Sequence, residues 1–180
     1  MSYLPKPKTL WKNWNTVEKK IEEETFWLNN AINTFFKEEK GAPMGCRECF
    51  LRRIAILIVS GKVKAKEITR SPILKSFWIN KKLRKKNKTK KCHGSDWHQE
   101  TMEKIESHFL SLGFKVDSEP EIHGGRADLG IFKKGKPNLY IEVGTTSFFK
   151  LWLNLERKRI KKFIYLIVPN DDKLIEFTCL

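Results

Sequence analysis

A carboxylate embedded in an apolar strand constrains this chain more than any other feature. Residues 139–145 read Leu-Tyr-Ile-Glu-Val-Gly-Thr, which places Glu142 among side chains that bury. An ionised carboxylate in such a place is costly unless it is paired or coordinates a cation. Upstream lies His123-Gly124-Gly125-Arg126-Ala127-Asp128, with thirteen residues between Asp128 and Glu142. The stretch 133–138, Lys-Lys-Gly-Lys-Pro-Asn, is a turn, so 127–132 and 139–145 form a hairpin that carries both acids on neighbouring strands. Two carboxylates brought together repel each other, and a divalent metal is the commonest way to relieve that.

Around this pair the pattern is regular. Ser95 or Asp96 caps a helix with Trp97, Met102, Ile105, Phe109 and Leu112 on its inward face, and Gly113 stops it. Residues 114–122 read as a strand ahead of the hairpin, and 148–160 as a helix. The continuous apolar run 163–168 suits a buried central strand, and 173–179 an edge strand. Upstream, 9–40 reads as a helix with Thr16 as a candidate cap, and 47–60 as a second helix. A short basic segment at 62–68 and a third helix starting at Ser71-Pro72 make the region compatible with a helix-turn-helix module. The expectation is therefore an α/β fold: a mainly helical basic region at 1–80, a basic linker at 81–94, and the α/β unit at 95–180.

The charge is as unevenly distributed as the pattern. Residues 1–95 hold 23 basic and 8 acidic side chains, whereas 96–180 hold 13 of each, so the whole excess of +15 belongs to the first half. Such an excess points to a polyanionic partner, with one half gripping phosphates and the other doing chemistry. Residues 81–91 contain eight basic side chains in eleven, and Lys81, Lys82, Arg84, Lys85, Lys86 and Lys88 form an arm that binds phosphates without first folding. The longest apolar stretch, 54–59, is too short to span a bilayer, and the first residues are polar and proline-bearing. No membrane role and a cytoplasmic, reducing setting are expected.

In this element order, Gly113-Phe114-x-Val116, Gly124-Gly125-Arg126-Ala127-Asp128 and Ile141-Glu142-Val143 resemble the PD-(D/E)xK nuclease superfamily, which includes restriction-endonuclease-like and Holliday-junction-resolvase-like enzymes. The likeness covers about residues 95–180. It implies an αβββαβ core with a mixed sheet, and a Mg²⁺-dependent (or Mn²⁺-dependent) endonuclease that hydrolyses DNA phosphodiesters, structure-specific or branched DNA being a natural substrate. It also implies that Asp128 and Glu142 ligate the metal together with the Val143 backbone carbonyl. Relatives of the resolvase type often act as homodimers.

One position departs from the family pattern. The usual lysine two residues after the Glu is Gly144 here. In some members its role passes to the following helix, where Lys150 is the best-placed candidate. The alternative is a catalytically inactive nucleic-acid-binding protein on a nuclease-like fold. Many relatives also use a Glu from the first helix, and Glu100 is preferred to Glu103 because it lies nearer the helix start. Glu121 is an extra candidate ligand, and Arg126 a phosphate clamp or ion-pair partner. His98 lies beside the apolar face near Trp97 and is within range of the site, although packing is the commoner fate of such a residue.

Each of these residues also has a plainer reading. Asp128 suits a strand-start cap, and Glu142 an ion pair with Arg126 or a lysine. Cys46, Cys49, Cys92 and His93 have the side chains for a structural Zn²⁺ site, but their spacing and the place of Cys49 on an inner helix face favour simple burial. Trp11, Trp14, Phe77 and Trp78 combine aromatic rings with nearby basic residues, as base-stacking proteins do, yet their helical spacing favours the core.

Overall fold

A single mixed sheet of six strands holds most of the chain together. The computed structural model describes residues 14–32, 47–69, 96–122, 125–156, 162–168 and 173–180. In chain order the elements are α1 (Trp14–Ile32), α2 (Arg47–Val59), β1 (Val63–Thr69), α3 (Asp96–Ser111), β2 (Lys115–Ser118), β3 (Glu121–Ile122), β4 (Gly125–Arg126), β5 (Leu129–Phe132), β6 (Asn138–Val143), α4 (Phe148–Leu155), β7 (Phe163–Val168) and β8 (Lys173–Cys179). The strand order is β1-β8-β7-β6-β5-β2, with β3 and β4 forming a separate two-stranded ribbon. Among the described strands only β6 and β7 run parallel, and a parallel pair needs a crossover, which α4 supplies.

Residue alternation sends each strand's side chains to two cores. Tyr140, Phe163, Tyr165, Ile167 and Phe177 pack with α1, α2 and α4. Leu129, Ile131, Ile141, Val143 and Val168 pack with Ile105 of α3, beside Met102 and Phe109. The central strands β6 and β7 are thus covered on both faces, as their nearly continuous apolar sequence requires. Two local signals position the helices around them. Ser147 accepts a hydrogen bond from the Lys150 N–H at 3.0 Å and so caps α4. Gly113, at φ +73°, turns the chain back after α3, and the Phe114 N–H reaches the Phe109 carbonyl at 3.0 Å.

Three expectations are corrected here. Residues 114–122 do not form one strand, because Glu119 adopts φ +51° and Pro120 has no N–H to continue a ladder. The chain leaves the main sheet there and re-pairs as the β3–β4 ribbon. The final strand is not an edge, because β1 lies outside it in an antiparallel register running from Val63↔Cys179 to Thr69↔Lys173. That pairing also places the short basic segment, expected within a helix-turn-helix module, in the sheet itself. The described parts of 1–80 therefore share a sheet and a core with 95–180, rather than standing apart across a linker. The third helix expected after Ser71-Pro72 and the basic run 81–91 lie outside the described residues. Among the described residues, no helix is long and apolar enough to cross a membrane.

Candidate active site

Asp128 and Glu142 meet where β5 begins and β6 ends. The last ladder pair is Leu129↔Ile141, so the register places Asp128 opposite Glu142 one step further on. The Asp128 N–H donates to the Ile141 carbonyl at 3.0 Å, which pins the strand start. Its carboxylate Oδ2 accepts the Val143 N–H at 2.6 Å and lies 3.2 Å from His98 Nε2 on α3. Glu142 is 3% exposed and uses both its oxygens. Lys150 Nζ, from the first turn of α4, donates to Oε1. The Tyr165 hydroxyl, from β7, donates to Oε2 at 3.1 Å, and Asn154 Nδ2 donates to that hydroxyl at 3.1 Å.

The electrostatics follow from this crowding. Burial, and then the negative charge of Asp128, push the Glu142 carboxyl up to about 7, although Lys150 and the hydrogen bonds from Lys150 and Tyr165 pull the other way. His98 is raised above its usual value, chiefly by its hydrogen bond to Asp128, which outweighs the desolvation that opposes it. Burial first, and the neighbouring Glu142 charge second, hold Tyr165 well above the ordinary phenol range, so it remains a hydrogen-bond donor.

Three residues singled out in the sequence are thus brought together from three elements: Asp128, Glu142 and Lys150. The lysine partner foreseen for Glu142 is Lys150. Arg126 is exposed and pairs instead with Glu119 at 3.7 Å. Glu121 lies exposed on the β3–β4 ribbon opposite Arg126, with no hydrogen bond or ion pair to either acid. From α3, the side chain that touches Asp128 is His98; Glu100 stands two residues further along the helix, half-buried. Cys49 is exposed on α2, not inward as expected, because Phe50, Leu51, Ile54 and Ala55 occupy the buried side. Cys46, Cys92 and His93 fall outside the described residues, as do Lys81, Lys82, Arg84, Lys85, Lys86 and Lys88.

Tyr165 and Asn154 are the site residues that sequence reasoning missed. A phenol inside an apolar strand needs a hydrogen-bond partner when buried, and that need was the available signal. Asn154 is fully buried, and its Oδ1 has no hydrogen-bond partner among the described residues. A Cβ added at Gly125 would stand 2.1 Å from that oxygen. Gly125→Ala is therefore expected to displace Asn154, loosen its bond to Tyr165 and destabilise the fold by roughly 1–3 kcal/mol. A thermal melt checks this, and an unchanged melting temperature would contradict the close approach.

The backbone two residues after Glu142 disfavours any side chain, and the lysine that reaches Glu142 comes from α4. The φ of Gly144 is +86°, a conformation that L side chains rarely adopt, and a Cβ there would face Trp97 at 3.5 Å and His98 at 3.9 Å. The peptide is anchored in that turn, since the Gly144 N–H donates to the Val168 carbonyl at 2.8 Å.

The donor set fits a hard divalent cation. Among the described residues, no group of three or more His, Cys, Asp or Glu side chains gathers as a metal site. Mg²⁺, however, keeps several waters and needs only one or two carboxylates. A carboxyl raised to about 7 by its burial, and next by a second carboxylate, is a place where added positive charge is favourable. No protein-family model, curated protein or solved structure matches the chain.

Proposed function

We propose that this chain is a Mg²⁺- or Mn²⁺-dependent endonuclease of the PD-(D/E)xK kind that hydrolyses DNA phosphodiesters, with Lys150 in place of the motif lysine. The observation that carries this reading is the convergence of Asp128, Glu142 and Lys150 on one sheet end, with Glu142 buried. Asp128, Glu142 and the Val143 carbonyl are the groups that would hold the ion. When bound, it supplies positive charge at the phosphoryl oxygens and a more acidic water.

The protein's own residues divide the remaining work. Lys150 brings a cation beside the acids, where it orients the attacking water and offsets charge developing on the phosphodiester. His98 and the Val143 N–H hold the Asp128 carboxylate in place. Tyr165 and Asn154 fix Glu142 from beneath. The basic first half of the chain, 23 basic against 8 acidic residues over 1–95, draws in the polyanion.

Lys150→Ala is expected to slow cleavage roughly 100- to 1,000-fold, the usual cost of removing one group that stabilises transition-state charge. Gly144→Lys on that background is expected not to restore it, because the new side chain enters a strained turn. Single-turnover rates measure both, and recovery in the double variant would contradict the relocation of the lysine.

A second reading, an inactive nucleic-acid-binding protein, draws on Gly144 and on the Glu142–Lys150 ion pair, which already compensates the buried charge. Nicking of supercoiled plasmid and branched DNA with Mg²⁺ or Mn²⁺ separates the two. Wild-type cleavage lost in Asp128→Ala and Glu142→Ala supports the nuclease. A wild type that cuts nothing, with salt-sensitive gel shifts preserved in all three proteins, supports the binder.

A further inference from the structure

One residue before Lys150, α4 carries a feature that the chemistry of the acids does not use. Phe149 keeps 41% of its surface exposed on a helix that otherwise buries its large apolar side chains or half-buries them. Its ring centroid lies 5.2 Å from Phe50 and 6.2 Å from Trp152, and the Phe50 and Trp152 rings are 5.4 Å apart. Buried Phe50 already joins α2 to α4, so the packing does not require the outer face of Phe149. Arg53 of α2 lies over the same cluster, 4.9 Å from Trp152 and 5.8 Å from Phe50.

Charge says what this strip suits. Among the described residues Arg53 meets no carboxylate, whereas its neighbour Arg52 is paired with Glu18. Three arginines, Arg47, Arg52 and Arg53, stand on α2 against the single Glu48. A guanidinium stacked on an indole, with its donors uncommitted to any acid, is a phosphate-binding group. An exposed aromatic face beside it takes a nucleobase, because every base has a π-face. Phe149 and Trp152, three residues apart, share one side of α4, while Lys150 on the adjoining side reaches Glu142. The strip therefore adjoins, along the same helix, the residue that reaches Glu142.

We infer that Phe149, Trp152 and Arg53 bind an unpaired nucleotide next to the cleaved phosphodiester, its base stacked on Phe149 and its phosphate held by Arg53. This rests on the nuclease reading and narrows its substrate to DNA with a bulged, flipped or flap nucleotide near the cut.

The test uses the full chain in EDTA, so that binding is read without cleavage. Two DNAs of the same sequence carry 2-aminopurine, either bulged or fully paired. The bulged DNA is expected to bind roughly 5- to 150-fold more tightly, the range for stacking one base on an aromatic side chain, with its fluorescence quenched. Phe149→Leu and Arg53→Gln should each remove most of that preference with a melting temperature close to wild type, and Phe149→Leu, which keeps every charge, should also leave affinity for the paired duplex close to wild type. Equal affinity of the wild type for the two DNAs overturns the inference, as does a preference that survives both substitutions. A change of oligomeric state in Phe149→Leu with the preference intact marks a self-association surface and also overturns it. Failure to bind any DNA overturns the nuclease reading as well, whereas plasmid cleavage without a preference overturns the strip alone.

Discussion

Glu142→Gln and Asp128→Asn are each expected to lower divalent-metal-dependent nicking about a thousandfold or more while leaving the protein folded. The amides keep the shape of the acids but remove the negative charge that a cation needs. In Glu142→Gln the Tyr165 hydroxyl still has an oxygen to donate to, so the buried end of the network survives. Lys150 loses its anionic partner but is only half-buried, and water can solvate it. The folded state should therefore hold, because the charge left behind on Lys150 is reached by water and is not stranded in the core. DNA binding should persist too, because its affinity comes largely from basic residues elsewhere in the chain. The check is a cleavage time course beside a gel shift and a melt. Nicking by the Asp128→Asn protein at the wild-type rate would remove the metal-centred reading, whatever the fold does.

The second large effect is one of stability and needs no substrate. The Glu142 carboxyl is raised from its ordinary value to about 7, so the folded protein favours the protonated form. That contribution to stability is complete below the ordinary carboxylate range and is lost as pH rises through about 7. His98, also raised, acts in the same direction. The metal-free protein should thus lose roughly 2–3 kcal/mol between about pH 5 and about pH 8 from Glu142 alone. Added Mg²⁺ must displace the proton, so its stabilising effect should be large at the higher pH and small at the lower. Melts at both pH values, with EDTA and with excess MgCl₂, read this directly. A melting temperature indifferent to Mg²⁺ at the higher pH would mean that the two acids serve only the fold.

Much of the second half of the chain was legible before any coordinates, for a physical reason. Its helices and strands carry clean periods, and the turn at 133–138 announces itself in glycine and proline, so α3, β5, α4 and β7 fall inside the spans expected for them, and β6 starts one residue before its expected span. What stayed hidden depends on partners distant in sequence. The lysines of β1 blur its alternation, and nothing local says that it pairs with β8. The break at Glu119-Pro120 is a backbone event that a strand-like run of nine residues conceals. At the site, Asp128 and Glu142 were visible because acids beside apolar strands are conspicuous. Tyr165 and Asn154 were not, since a tyrosine in an apolar run and an asparagine on a helix look ordinary until the fold aims them at Glu142. His98 was visible only as one of several residues near the start of a helix.

The ladder from Val63↔Cys179 to Thr69↔Lys173 has a consequence for how the molecule is assembled. A strand from the electropositive half zips onto one that follows more than a hundred positions later, so the closing of that long loop comes before the reward of pairing. Excised at the charge boundary, the 95–180 half would present β8 as a bare rim of seven residues, an open invitation to stray strands. The two halves differ in electrical character, yet they are cut from one cloth, and a strand of the basic half is woven into the same sheet that carries the acids.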